Sequence, residues 1–419
     1  MRSRPLLVAL LALACLAHAV PAYAGGGARF VGSARAFQQA VRDFRTTGGR
    51  IVLLPRDYRR PLTVGPRSES QLEIVGSTGA RVQSLTISRS RAVTIRGLVF
   101  RPLGGNAIVL VESSRRIVFR GDAFTAKHTD FKVGLRLDYS QGVSIRSSTF
   151  SHCGDRTPKW STCLLPRWAS GVRVVHNWFH DCRGCDFIGG RIGPNGVIRE
   201  NRFDRALACH TGWVKCAHQD LIELFSADGL LITRNVFGVS QGGGAQLNLA
   251  TADDGVHVVN NVFLRDDPLA PGIVPRVGIL VGTRAATRIP LGTEIVNNTI
   301  LSGAPKGHHA ESSVVLSPLY LKVRRRNRPL LANNVIAWLM VPGLVCSVER
   351  APDRNVIVAG SACGQTEVVG DPLLDADGRP TAGSTLLIDL ADPAVAPPAD
   401  IDGTDRVGPP DIGAYEYSP

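Results

Sequence analysis

The run from Cys216 to Phe237, CAHQDLIELFSADGLLITRNVF, sets His218, Asp220 and Glu223 among residues that otherwise alternate like a buried strand. An imidazole and two carboxylates so close in sequence can move a proton in either direction, because histidine titrates near neutrality and a carboxylate can orient it or act as base. Lys215 just upstream and Arg191 in CDFIGGRIG add cations that would hold an anion, and Gln246 and Asn248 in AQLNL add amides. The competing reading is a His218–Asp220 pair that only fixes a turn, with Glu223 solvated on a polar face.

Side-chain parity says which of these groups can meet. In DLIEL, Ile222 and Leu224 share one parity and are expected in the core, so Leu221 and Glu223 are expected to face out. In AQLNL, Leu247 and Leu249 are expected inside, with Gln246 and Asn248 exposed. Stacked strands lie about 4.8 Å apart, which puts Glu223 beside Asn248. Gly189 and Gly190 leave room on the other side, where Arg191 reaches the same face. The result is a shallow trough of Arg191, Glu223, Gln246 and Asn248. The insertion DRALACHTGWVKCAHQ, carrying His210, Trp213, Lys215 and His218, is expected to wall it, with Trp213 available to stack on a ring.

The strands must come from a repeat. GLLITRNVF, ending at Phe237, recurs in variant form ending at Phe100, Phe124, Phe150, Phe179, Phe203, Phe263, Ile300 and Ile336. Successive ends lie 24, 26, 29, 24, 34, 26, 37 and 36 residues apart, so a constant core carries insertions of variable length. That pattern predicts a solenoid with variable loops. Each copy alternates apolar and polar residues, as in Val143-Ser144-Ile145, the period of a strand with one buried face. Asn177, Asn201, Asn235, Asn261, Asn298 and Asn334 stand two residues before the terminal Phe or Ile. Asparagine tolerates the left-handed backbone of a tight corner and can hydrogen-bond its copy on the next rung. The Leu-x-x-Leu-x-Leu core of leucine-rich repeats is missing, and a propeller would keep a longer, steadier period.

These residues resemble the right-handed parallel β-helix proteins of the pectate-lyase-like superfamily, from about Ile51 to Ile357. The expected fold class is therefore all-β, a right-handed parallel β-helix. SARAFQQAVRDF, with Phe37, Val41 and Phe44 on one face after Ser33, is expected to be an N-terminal capping helix over the open core. The C-terminal stretch from Asp371 to Tyr417, with Asp-x-Gly elements, an arginine and DIGAYEY, resembles the choice-of-anchor-Q tail of secreted bacterial β-helix proteins. Asp375-x-Asp377-Gly378 could ligate calcium, but a turn is the commoner use. The expected organisation is a signal peptide over 1–24, a cap over 25–50, the β-helix over 51–365 and a tail over 366–419 on the last rungs.

The remaining features bound the setting. Arg2 and Arg4, an apolar stretch and Ala22-Tyr23-Ala24 have the layout of a cleaved export signal, and no later segment is long and apolar enough to span a bilayer. Cys15 goes with the signal; Cys153, Cys163, Cys182, Cys185, Cys209, Cys216, Cys346 and Cys363 remain, an even number that predicts disulfides in an exported chain. Cys346 with Cys363 and Cys209 with Cys216 are the simplest local bridges, and zinc held by Cys182, Cys185, Cys209 and Cys216 is the rival use. Removing Arg2 and Arg4 lowers the formal charge from +13 to +11, which favours anionic partners. The absence of a dense basic run with interleaved aromatics argues against nucleic acid. A secreted or periplasmic monomer acting on an acidic polysaccharide is the expectation.

The resemblance implies a choice of chemistries. A polysaccharide lyase neutralises a uronate carboxylate with calcium or basic groups and removes the C5 proton; Lys215, His218, Arg191, Asp220 and Glu223 are the candidate catalytic residues, with Gln246, Asn248 and Trp213 binding substrate. Paired aspartates of a polygalacturonase-like hydrolase would have to be Asp253-Asp254, without the Gly-His-Gly element, and the Asp-Pro-His motif of an epimerase is replaced by His218-Gln219-Asp220. A non-catalytic glycan-binding protein needs none of these. The reading taken is β-elimination, with no cofactor required except calcium as one means of neutralising the carboxylate.

Overall fold

Short alternating segments become strands here because each buries one row of β-branched or aromatic side chains and turns before the next. In the strand Arg91–Arg96, Val93 and Ile95 are buried; in Arg115–Arg120, Ile117 and Phe119; in Ser144–Arg146, Ile145. A computed structural model describes residues 27–67, 69–102, 105–125, 131–153, 161–207, 219–239, 244–251, 254–265, 277–282, 291–302, 313–339 and 352–418. Among them, three parallel sheets of thirteen, ten and thirteen strands wind around one apolar core. The chain passes from the second sheet to the first, then to the third, and back to the second. One such turn runs Leu85–Ser88, Arg91–Arg96, Val99–Phe100 and Gly105–Glu112.

The expected column of terminal residues is present. Phe100, Phe124, Phe150, Phe179, Phe203, Phe237, Phe263, Ile300 and Ile336 are buried and in register across the third sheet. Consecutive phenylalanine rings stack at 4.4 to 5.0 Å between centroids. Rings at this spacing fill the interior at strand pitch with no void between rungs.

The asparagine ladder is also present, with one correction to its backbone. The N–H of Asn177 donates to Asn201 Oδ1 at 2.9 Å, and the same bond repeats through Asn235, Asn261, Asn298 and Asn334 to Asn355, a member not singled out in the sequence. The left-handed residue is the one before each ladder position: His176, Glu200, Arg234, Asn260, Asn297, Asn333 and Arg354 all have φ between 51° and 57°. Ladder side chains thus point inward from a corner their neighbours turn. Asp122 and Ser148 continue the ladder into earlier rungs. A second ladder, Ser90, Ser114 and Ser140, runs along the corner between the second and first sheets.

The N-terminal end closes under a helix. Ser33 Oγ accepts the Ala36 N–H at 3.1 Å and caps the helix Ala34–Asp43, which buries Phe37 and Ala40 on the core. The strand Ala28–Val31 precedes that helix and pairs with Gly49–Leu53, and Val368–Val369 is the last strand, so pairing extends beyond 51–365 at both ends. The tail lies along the side of the later rungs rather than only over the last one. Ile401 and Tyr415 pack on Val262, Leu387 and Ile412 on Val335 and Val356, and Val395 on Val296. Asp375 closes a turn by accepting the N–H groups of Asp377 and Arg379, the structural use of that aspartate.

Candidate functional site

The carboxylates of the opening run lie on the second sheet, whose strands are entered from the connections that carry most of the long insertions. Ile188, Ile222 and Leu247 fill the core side by side, and on the other parity Gly189 pairs with Glu223 and Glu223 with Asn248. The Asn248 amide donates to Glu223 Oε1 at 3.3 Å and to Asp220 Oδ2 at 3.0 Å. The adjacency expected of Glu223 and Asn248 is therefore real. Both side chains are nevertheless nearly covered, Glu223 being 7% exposed, because the rungs on either side crowd the column.

Beside Glu223 opens a cleft of about 430 Å³ lined by Thr162, Leu165, Pro166, Arg167, Trp168, Asp186, Gly189, Gly190, Arg191, Glu223 and Phe225. Its shape depends on two glycines. A Cβ on Gly190 would stand 2.3 Å from the Pro166 carbonyl oxygen, and Gly190 has φ +141°, so no side chain fits. A Cβ on Gly189 would press on Asp186 Oδ2 and Thr162, intruding on the floor. Asp186 and Glu223 supply carboxylates. Arg167 and Arg191, register partners on adjacent strands, supply cations.

Trp168 and Phe225 are 52% and 37% exposed at this cleft, and the Arg191 guanidinium lies 4.3 Å over the Trp168 ring. Trp168 has φ +59°, an unusual backbone for a bulky residue, and Tyr139 on the preceding rung has φ +49°, its N–H donating to the Arg167 carbonyl at 3.0 Å. Asp138 receives both Arg136 and, at 3.9 Å, Arg167, which fixes the cationic side of the wall. Exposed aromatic faces beside paired cations and carboxylates are suited to a ring that is apolar on one face and charged at its rim.

Several expectations need correction in detail. Leu221, expected outward, is fully buried in the core, because Phe187 N–H and Ile188 N–H both reach the Leu221 carbonyl and break the alternation locally. Gln246, expected exposed, is fully buried and its amide donates to the carbonyls of Phe237, Gly238 and Leu264. Asp220 is buried; its carboxylate accepts the Ala245 N–H at 2.5 Å and the Asn248 amide, while its own N–H donates to Asp186 Oδ1 at 3.1 Å. That is the geometry of a strand junction. Lys215, His218 and Trp213 lie outside the described residues, as does Asp253.

Asp186, Arg167, Trp168 and Phe225 were not singled out in the sequence. Parity in LLPRWAS puts Arg167 on the outer face, but the left-handed turn that carries Trp168 has no local signature. Cys153 is bonded to Cys163 and Cys182 to Cys185, and Cys363 is also in a disulfide; Cys209, Cys216 and Cys346 lie outside the described residues. Among the described residues, Cys163, Cys182 and Cys185 come together, with the three sulfurs within 4.8 Å of one another.

Calcium would need several oxygen ligands converging on one point. Among the described residues, the group of three or more His, Cys, Asp or Glu side chains with ligand atoms that close together is this cysteine group, and an amide separates the carboxylates of Asp220 and Glu223. Among the described residues, the acidic side chains as arranged do not converge as a calcium site would require.

Three parallel sheets closed around one continuous core define a right-handed parallel β-helix protein. The sequence pattern of the family described as "Right handed beta helix region" matches residues 83–263. No protein of curated function matches the chain in sequence. Among solved structures, pectate lyase Pel9A is similar at 14% identity and a TM-score of 0.50, over 94% of this chain and 97% of that one. An alginate lyase from Paenibacillus sp. str. FPU-7 has 14% identity and a TM-score of 0.49 over 69% of this chain and 99% of its own, and the surface adhesin PfbA of Streptococcus pneumoniae has 11% and 0.42 over 65% and 74%. These likenesses concern the fold. Among the described residues no helix is long and apolar enough to cross a membrane.

Proposed function

We propose that the protein is exported and acts on an acidic polysaccharide at the second-sheet cleft, by β-elimination. The observation that carries the proposal is the facing of Arg167 and Arg191 with Asp186 and Glu223 across one aromatic-edged cleft. In β-elimination the C5 proton of a uronate leaves first, the resulting charge spreads onto its carboxylate, and the C4–O bond then breaks as the C4–C5 double bond forms, the leaving oxygen taking a proton. Two guanidinium groups held by Asp138 and Trp168 would stabilise that charge without rearranging. Trp168 and Phe225 would take the apolar face of a sugar. Lys215 and His218, in the segment leading into the Glu223 strand, are proposed as proton acceptor and donor. Asp220 holds the junction, and no step runs through calcium.

A panel of polyuronates and glycosaminoglycans tests this, with product followed by the ultraviolet absorbance of the new double bond. Activity should appear on a uronate polymer and persist in the presence of chelator. New reducing ends without that absorbance would overturn elimination in favour of hydrolysis, the second reading, which the two carboxylates of Asp186 and Glu223 in one cleft favour.

A further inference from the structure

The first sheet carries a feature that the cleft does not use. Arg96, Arg120 and Arg146 are direct register partners on three adjacent parallel strands. Ile95, Phe119 and Ile145, one residue before each, are fully buried, so the three arginines stand on the outer face. Arg120 and Arg146 are exposed and Arg96 is half-buried. Arg173, exposed on the next strand beside Ser144, extends the cationic strip.

Like charges directly opposite one another across a sheet are destabilising, so chains usually interleave an acid. Elsewhere on this surface the chain does so. Glu69 serves Arg91 and Arg116, and Glu200 serves Arg199 at 3.5 Å, Arg234 at 3.0 Å and His176 at 2.6 Å. Among the described residues, Arg96, Arg120 and Arg146 have no such acid. Around them the surface is open: a Cβ on Gly121, which follows Arg120, would meet nothing within 4 Å. The tail, which covers rungs from Arg234 onward, does not reach them.

We infer that this arginine ladder is a second binding surface, distinct from the cleft, for a linear polyanionic glycan lying along the solenoid axis. Adjacent strands advance about 4.8 Å, comparable with one pyranose of an extended chain, so one carboxylate or sulfate per sugar meets one guanidinium per rung. No exposed large aromatic side chain sits on these three strands, and so nothing there stacks nucleic-acid bases. The surface grips a long polymer without reading its sugars. It does not depend on the cleft being a lyase.

The test compares R96Q/R120Q/R146Q with R35Q/R59Q/R60Q, which removes the same charge from exposed arginines near the N-terminal end. Affinity for immobilised polygalacturonate is measured over a salt series. The ladder variant should bind roughly tenfold or more weakly at low salt and show a log–log salt slope shallower by about 2 to 3, while the control stays within about threefold of the parent. Melting no lower than the parent's, expected when stacked like charges are removed, would keep the effect separate from folding, and unchanged binding of short uronate oligomers would keep it separate from the cleft. Equal losses in both variants, no loss in either, or ladder-dependent binding to duplex DNA tighter than to polygalacturonate would overturn the inference.

Discussion

Asn333 and Asp392 bind each other in both directions: the Asn333 amide donates to the Asp392 carbonyl at 3.1 Å, and the Asp392 N–H donates to Asn333 Oδ1 at 2.8 Å. The same left-handed corner position holds the tail on other rungs. Asn297 donates to the carbonyls of Asp411 and Gly413, Asn260 donates to Ala399, and Arg406 reaches back to Asn260 Oδ1. In each Asn-Asn pair, 260–261, 297–298 and 333–334, the second residue stacks in the ladder and the first docks the tail.

Asn333→Gly keeps the left-handed backbone and removes both side-chain bonds to Asp392, along with the amide's bond to Asn297 Oδ1 at 3.2 Å. It should lower stability by about 1 to 3 kcal/mol, because the Asp392 groups lose their partner at a partly buried site. Hydrogen exchange in 371–417 should accelerate ahead of exchange in the rungs. Uniform acceleration throughout the chain would mean that tail and solenoid unfold together.

Phe237→Ala opens a gap between Phe203 and Phe263, whose rings lie 5.0 and 4.4 Å from it. Hydrogen-bonded strands prevent the rungs from closing up, so the loss should be about 3 to 5 kcal/mol in denaturant unfolding. An unchanged unfolding midpoint would contradict the stacked column.

Asp122 occupies a ladder position that asparagine fills elsewhere, and burial pushes its carboxyl up to about 7. The folded state therefore holds a proton that the unfolded chain releases near 3.8. The stability tied to the neutral acid is complete below that lower value and is lost as pH rises through about 7. Asp122→Asn stays neutral throughout, so it should be more stable than the parent above pH 7, by up to about 4 kcal/mol at 1.36 kcal/mol per unit. The difference should shrink as the solution is acidified. A constant difference across the pH range would remove the buried charge as its cause.

Glu223→Gln and Asp220→Asn should separate chemistry from architecture. Glu223 lines the cleft, and its amide should leave melting nearly unchanged while turnover on the active polyuronate falls at least tenfold, about 1.4 kcal/mol. Asp220 ties the Ala245 N–H and the Asn248 amide to one strand junction, so its amide should lower the melting temperature as well. Full activity in Glu223→Gln would move the chemistry away from this cleft.

The solenoid was legible because its signals are local and repeated. Alternation in VSI or VHV marks a strand, a terminal Phe or Ile marks an interior column, and asparagine two residues earlier marks a stacked corner. Pairing Glu223 with Asn248 followed from rung register alone. The degree of burial did not follow, because parity distinguishes inside from outside but not an open surface from one crowded by adjacent rungs. Leu221 and Gln246 show the same limit: a local break in alternation and a reach to backbone carbonyls put both out of solvent.

By itself, then, the sequence determined the repeat and the asparagine ladder, since each depends on contacts between equivalent positions one turn apart, and the capping helix, whose Ser33 cap and Phe37 face are local; the three-sided rung is read from the structure. Only the tertiary structure decided which side chains share a cleft. Trp168, the Asp186–Arg191 pair and Glu223 come from three successive rungs, and their meeting depends on a left-handed corner, two glycines and the register shifts at Arg167/Ala169 and Gly190/Arg191. Those shifts arise from how whole rungs stack, a sum over many neighbours that no single stretch of residues encodes.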